Sequence, residues 1–177
     1  ALLTTALPED RPFSVMITRP VTIPAAFKSV FSIPLFQMVC PALKPYPDEV
    51  EGMRELGTED IPAMLELTAL TKPGPFYQRT NTFGRYFGIF RDGKLAAMAG
   101  ERLKLNGYTE VSAICTDPGH AGKGYSASLL TKVARLIIGR GETPFLHVRY
   151  DNERAIGLYK KTGFEIRSDV HFEIFRK

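Results

Sequence analysis

The stretch "VSAICTDPGHAGKGYSASLL", Val111 to Leu130, constrains the fold more than any other part of this chain. A β-branched run ends at Asp117-Pro118 and passes through a loop holding Gly119, Gly122 and Gly124. It continues as a segment whose apolar residues Leu129, Leu130, Val133, Leu136 and Ile137 recur at helical spacing, with Gly139 or Gly141 to end it. "TPFLHVRYD" then reads as a second strand. Strand, helix and strand in that order make a crossover unit, so the two strands must lie parallel in one sheet. Upstream, "YFGIFRDGKLAAMAGERLKLNGYTEV" places Asp92-Gly93 and Asn106-Gly107 between apolar runs, and such dipeptides mark tight hairpins. A chain with both features folds as α/β: a mixed, mostly antiparallel central sheet flanked by helices.

The remaining elements follow from the same patterns. "VEGMRELG" alternates like a strand. "TEDIPAMLELTALT" reads as a helix with Thr58 as N-cap and Pro62 in its first turn. "NERAIGLYKKTG" reads as another, capped by Asn152 and stopped by Gly163, and "FEIRSDVHFEIFRK" supplies one or two last strands. The N-terminal part differs in composition. Eight of the 13 prolines fall at or before Pro47. They break "FSVMITRPV" and "LFQMVCPAL" into pieces that read as edge strands and loops rather than central strands. The organisation expected is a Pro-rich segment with edge strands over 1–47 and a regular α/β domain over 48–177.

Composition excludes several classes. A 177-residue chain with 44% hydrophobic residues can bury one full core, and no apolar run is long enough to cross a membrane. "ALLTTALPEDRPF" lacks the basic region of a signal peptide. Cys40 and Cys115 cannot make a disulfide framework, and no metal-ligand spacing is present, so a reduced, cytoplasmic setting without a metal is expected. The net charge of +4 suits an anionic ligand, but no Lys/Arg run points to nucleic acid.

The glycine loop is the candidate anion site, because small residues allow close backbone approach and a helix N-terminus aims free N–H groups at a ligand. A phosphate-binding G-x-x-x-x-G-K-[ST] loop is ruled out, since Tyr125 and Ser126 follow Gly124. A G-x-G-x-x-G reading meets Ala127 at its last place.

Two motifs at matching spacing give the loop a meaning. "VSAICTDPGHAGKGYSASLL" and "NERAIGLYKKTGFE" together resemble the GCN5-related N-acetyltransferases, most closely the FR47-like branch, over about Val50 to Lys177. The second motif matches the family's N-x-x-A-x-x-L-Y-x-x-x-G-F pattern at every defined position. The resemblance implies the family's splayed sheet and acetyl transfer from acetyl-CoA to an amine, by direct attack in a ternary complex. It implies that Ala121, Gly122, Lys123, Gly124, Tyr125, Ser126 and Ala127 hold the pyrophosphate, and that Ile114, Cys115 and Thr116 pair with the pantetheine arm. The Ile114 N–H would hold the thioester carbonyl, Asn152 and Ala155 would touch the cofactor, and Tyr159 would protonate the departing thiolate. Ala121 stands where Gln or Arg is usual, and Ser126 where Gly or Ala is usual.

Glu110 is the candidate base, set against an ordinary exposed strand carboxylate. His147 and His171 read as structural strand histidines, and His120 as a loop residue facing phosphate or solvent. Cys115 as a residue type reads as a small buried hydrophobe. Phe76, Tyr77, Phe83 and Tyr86 either wall an acceptor pocket or cover the core, with Arg79 or Arg85 available for a carboxylate. The expected acceptor is a small-molecule amine, and the expected state is a monomer or homodimer without membrane or nucleic-acid partners. The alternatives are a protein N-acetyltransferase and a non-catalytic acyl-CoA binding or sensing module.

Overall fold

A computed structural model describes residues 12–19 and 22–177. Their strands are β1 Phe13–Ile17, β2 Lys28–Val39, β3 Met53–Glu55, β4 Tyr86–Arg91, β5 Lys94–Leu105, β6 Tyr108–Thr116, β7 Thr143–Arg149 and β8 Glu165–Arg176. The helices are α1 Ile61–Thr71, α2 Tyr125–Gly139 and α3 Glu153–Thr162. One sheet runs in the order β1-β8-β2-β7-β6-β5-β4-β3. Both expected hairpins form, Asp92 and Gly93 each taking positive φ as a tight two-residue turn requires. The crossover through α2 makes β6 and β7 the parallel pair.

The sheet is buried from both sides. The apolar stripe of α2, with Leu129, Leu130, Val133 and Ile137, packs on Ala97, Ala99, Val111, Leu146 and Val148. On the other face, Met64 and Leu67 of α1 pack with Tyr86, Met98 and Cys115. At roughly 25 cal/mol per Å² of apolar surface, each such fully buried side chain contributes about 1.5–3 kcal/mol.

Two expectations are corrected. The first is the place of the Pro-rich strands: β1 is an edge strand paired with β8, but β2 lies inside the sheet, antiparallel to both β7 and β8. Pro34 is tolerated there for a positional reason. A strand residue points its N–H and C=O the same way, and the Pro34 carbonyl is reached by the Tyr150 N–H at 3.5 Å. Its missing N–H therefore faces the β7 side, just past Arg149, where β7 has ended. The second correction is the start of α1. Thr58–Asp60 form a 3₁₀ turn, and Asp60 takes the N-cap position. Its carboxylate accepts the Gly57 N–H at 2.8 Å and pairs with Arg54 at 2.6 Å.

Residues 41–50 lack regular structure and tie the N-terminal strands to the helices. Asp48 pairs with Arg135 and Glu49 with Lys132, each at 2.8 Å, and the Lys44 N–H donates to Thr162 O at 3.1 Å. Gly163 ends α3 at φ 104°, and a Cβ on it would run into the Ala42 carbonyl. Gly163→Ala is expected to cost about 2 kcal/mol or more, the left-handed penalty plus this clash. Gly107→Ala, at φ 76° in open space, carries the left-handed penalty alone. Urea midpoints at unchanged m-value check the difference.

Candidate active site

The parallel pairing of β6 with β7 covers three positions, Tyr108, Thr109 and Glu110 against Thr143, Pro144 and Phe145. Beyond Phe145, β7 pairs only with β2, so β6 and β7 separate into a gap. A bulge in β6 decides what faces that gap. Ser112 opposes Gly100 but Cys115 opposes Met98, so two residues of β6, Ala113 and Ile114, stand against Ala99 alone. Ala113 takes φ 52° to allow this. Asp117 N–H donates to Ala96 O at 2.8 Å, so Asp117 and Cys115 point their backbone groups at β5. Alternation then directs those of Ile114 and Thr116 into the gap. Without the extra residue, the Ile114 N–H would face β5.

The glycine loop sits at the open end. Gly122 (φ 81°) and Gly124 (φ 80°) both take left-handed conformations on either side of Lys123, and α2 begins at Tyr125. Successive backbone N–H groups turned this way, followed by the free N–H groups of a helix's first turn, form a concave anion site. A Cβ on Gly122 would meet nothing within 4 Å, so the backbone there is open to a ligand. Asp117 braces the turn by accepting the Gly119 N–H at 2.7 Å, and the Ala121 N–H donates to Pro118 O at 3.2 Å. Lys123 lies 3.1 Å from His120. The Ser126 hydroxyl is bonded to Thr116 at 2.7 Å, which tethers the helix start to the end of β6. Tyr125 is buried, and its hydroxyl accepts from Arg91 Nε at 2.9 Å. Ala127 is buried behind it.

From the other side, α3 brings Tyr159 within electrostatic reach of Cys115, near the end of β6. Its ring is buried, and burial followed by the nearby Cys115 thiol pushes the phenol pKa well above its ordinary value. The phenol thus stays protonated at neutral pH and lies beside the end of β6. Asn152 Oδ1 caps α3 by accepting the Ala155 N–H at 3.2 Å, as the sequence predicts. Burial pushes the Cys115 thiol up to about 11, which leaves it unreactive.

Glu110 is not the exposed strand carboxylate that was one of its two readings; its side chain is 1% exposed. Arg102 grips it with two bonds of 2.7 and 2.8 Å, and His147 Nδ1 lies 2.8 Å from its Oε1. Burial alone would raise its pKa, but the hydrogen bonds from His147 and Arg102 win and hold it below the usual carboxylate range.

These features occur in known proteins. The FR47-like protein family matches residues 86–172. The chain is 32% identical over 115 residues to the [ribosomal protein bS18]-alanine N-acetyltransferase of Escherichia coli K12, spanning 62% of this chain and 77% of that protein. It is 35% identical over 85 residues to the N-alpha-acetyltransferase RimI of Mycobacterium tuberculosis, across 45% of this chain and 51% of that protein. The structure of a GNAT-family protein from Novosphingobium aromaticivorans superposes with TM-score 0.89 at 34% identity, covering 99% of this chain and 79% of the other. The chain belongs to the GCN5-related N-acetyltransferase superfamily, in its FR47-like branch. As an N-acetyltransferase of this family it carries the splayed mixed sheet that its motifs imply.

In this acetyltransferase the aromatics offered by the sequence for either an acceptor pocket or the core divide. Phe76 packs edge-on against the buried Tyr86 with ring centres 5.6 Å apart, so both cover the core. Tyr77 and Phe83 are exposed. Arg85 is engaged with Glu55 at 2.6 Å, while Arg79 is exposed. His171 is an exposed strand residue. Tyr46, Gln37 and Arg102 have no motif and are found only here. Tyr46 comes against Gly124, and Gln37 Nε2 lies 3.2 Å from His147 Nε2. Among the described residues no metal-binding cluster occurs, and no helix is long and apolar enough to cross a membrane.

Because the folded-state pKa of Glu110 lies below its unfolded value, its contribution is present above the ordinary carboxylate pKa. It is lost as pH falls through the folded one. Melting temperature measured from pH 7 down to pH 3 should fall less steeply in Glu110→Gln than in the wild type. Cys40 is also pushed up to about 11 by burial and the Glu165 charge. Both thiols should therefore react with a disulfide reagent at pH 7.5 far more slowly in the native protein than in urea.

Proposed function

We propose that this N-acetyltransferase moves the acetyl group of acetyl-CoA to an amine by direct attack in a ternary complex. The observation that carries the reading is the gap between β6 and β7, with the Ile114 N–H turned into it by the bulge at Ala113 and the Tyr159 phenol beside it. In this reading the N–H groups from Gly122 to Ala127 receive the pyrophosphate, the Ala121 N–H being spent on Pro118, and Lys123 adds positive charge. The Ser126 hydroxyl is occupied by Thr116, so the departure from a small residue there leaves the concave backbone free. Cys115 and Thr116 extend the edge along which the pantetheine arm runs, and Asn152 and Ala155 border it from α3.

The Ile114 N–H stabilises the oxyanion that develops as the amine attacks. Tyr159 is held neutral by burial, so it has a proton to give to the departing thiolate. The Glu110 cluster stands at the closed end of the gap, where the last parallel rung lies, and serves the amine's proton. The acceptor proposed is a small-molecule amine taken up in a reduced, cytoplasmic setting, which suits two buried free thiols. A protein α-amine is the second reading, supported by the names of the Escherichia coli and Mycobacterium tuberculosis relatives.

Calorimetric titration with acetyl-CoA tests the first half. Asp tolerates a left-handed backbone, and Gly122 faces open space, so Gly122→Asp should fold normally yet weaken binding by about tenfold or more through charge repulsion. Absence of binding by the wild type would remove the reading. Tyr159→Phe should lower kcat by about 10²-fold or more with little change in acetyl-CoA affinity. Rates of CoA release with polyamines, arylethylamines and amino acids, set beside an alanine-initiated peptide, decide between the two acceptor classes.

A further inference from the structure

We infer that His147 is the base that takes the proton from the acceptor amine, and that Glu110 and Gln37 are its positioning residues; this rests on the acetyl-transfer reading above. The first ground is place. Glu110 and Phe145 form the last parallel rung, and His147 is the next residue of β7 on the same face as Phe145. It therefore stands at the throat where the two strands part.

The second ground is the hydrogen-bond chain, which leaves one arrangement of protons. Arg167 Nη1 donates to Gln37 Oε1 at 2.6 Å, so the other end of the Gln37 amide, its NH₂, is the group facing His147 Nε2 at 3.2 Å. Nε2 must then accept, and the ring proton sits on Nδ1, donated to Glu110 Oε1 at 2.8 Å. Two bonds from Arg102 keep that carboxylate from turning. The ring is thus held in one tautomer, its side chain 6% exposed and its Nε2 lone pair taken by the Gln37 amide on the β2 side. An arriving ammonium group offers the same kind of donor and replaces the Gln37 amide.

The third ground is the division of labour with Glu110. A carboxylate that already accepts from Arg102 twice and from His147 once keeps about one of its four lone-pair sites, and at 1% exposed it is closed to solvent. It is suited to stabilising an imidazolium instead. The groups facing this cluster are Arg102 from β5, Glu110 from β6, Tyr86 from β4, Gln37 from β2 and Arg167 from β8. Two carboxylates belong to this region, Glu110 and, acting on Tyr86 from β5, the buried Glu101, which Arg140 and Lys104 hold. The Tyr86 hydroxyl is buried without a hydrogen-bond partner, and its ring lies across Gly100, the residue opposite Ser112. That gives the same face a second polar group with bonding capacity unused.

The proton balance closes. One proton of the ammonium passes to His147 Nε2, and the freed nitrogen lone pair forms the C–N bond. After addition, the second proton leaves nitrogen as the C–S bond breaks, and reaches the sulfur through Tyr159, which ends protonated. His147 then releases its proton to solvent.

Two measurements test this. Long-range ¹⁵N–¹H spectra of the three histidines, with His147 assigned by its loss in His147→Gln, read the tautomer without any acceptor. Nδ1–H is expected, with a mixture of tautomers in Glu110→Gln; an Nε2–H ring, or no response to Glu110→Gln, overturns the proposal. With acetyl-CoA and the best acceptor from the panel above, His147→Gln should reduce kcat/KM at pH 7 by about 10²-fold or more. The loss should shrink as pH approaches the amine's own pKa, where no base is needed. A His147→Gln enzyme that is as active as the wild type, or slowed equally at every pH, overturns the assignment. If the wild type binds acetyl-CoA but acetylates neither the panel nor the peptide, the proposed acceptors fail while the tautomer spectrum still decides the arrangement of His147.

Discussion

Everything at the candidate active site depends on how briefly β6 and β7 stay together. Parallel strands joined by a helix ordinarily share a full ladder, but here the ladder has three rungs and then opens. Two devices keep it open. On one side, β2 takes over the hydrogen bonds of β7 from Val39↔Phe145 to Leu35↔Arg149, so β7 has a partner as it leaves β6. On the other, the bulge at Ala113 reverses the alternation of β6 and points fresh backbone groups into the gap. Unpaired strand groups are costly when buried and must be met by water or a ligand. The gap therefore leaves strand groups that water or a ligand must meet.

The same closed end of the gap carries a costly electrostatic cluster. Glu110 is buried among Arg102 and His147, and taking such charges from water costs several kcal/mol per ion before pairing repays it. Losing one partner of such a cluster typically costs 3–5 kcal/mol. A core built only for stability would do as well with apolar residues of similar volume. The cluster's cost is understandable where an oriented imidazole is needed at the throat. The N-terminal segment contributes to it directly, because Gln37 and the strand that carries it come from the Pro-rich part of the chain.

Much of this was legible in the residues. The hairpin dipeptides, the helical stripe of Leu129 to Ile137 and the Asn152 cap are local signals, and each is found where the pattern puts it. The surroundings of Glu110, by contrast, could not be read from the sequence. Alternation says which face a strand residue takes, but not whether that face is covered, and Arg102 and His147 lie on other strands. Ser126 stands where the family has Gly or Ala, yet its hydroxyl turns to Thr116, ten residues earlier. The prolines suggested edges, and were right for β1 but not for β2, because the N–H that Pro34 lacks falls just past the end of the β7 ladder.

The division between the two levels is a matter of range. Turn conformations, capping, periodicity and the parallel sense of a crossover depend on residues within a few turns of one another, and the chain alone determined them. The order of strands around the gap, the partner of β7 beyond its third rung and the surroundings of Glu110 and His147 depend on which distant segments compete for the same edge and the same buried space. Those were decided only when the N-terminal strand entered the sheet, since a hydrogen-bonding edge or a buried charge takes whichever partner the tertiary fold delivers.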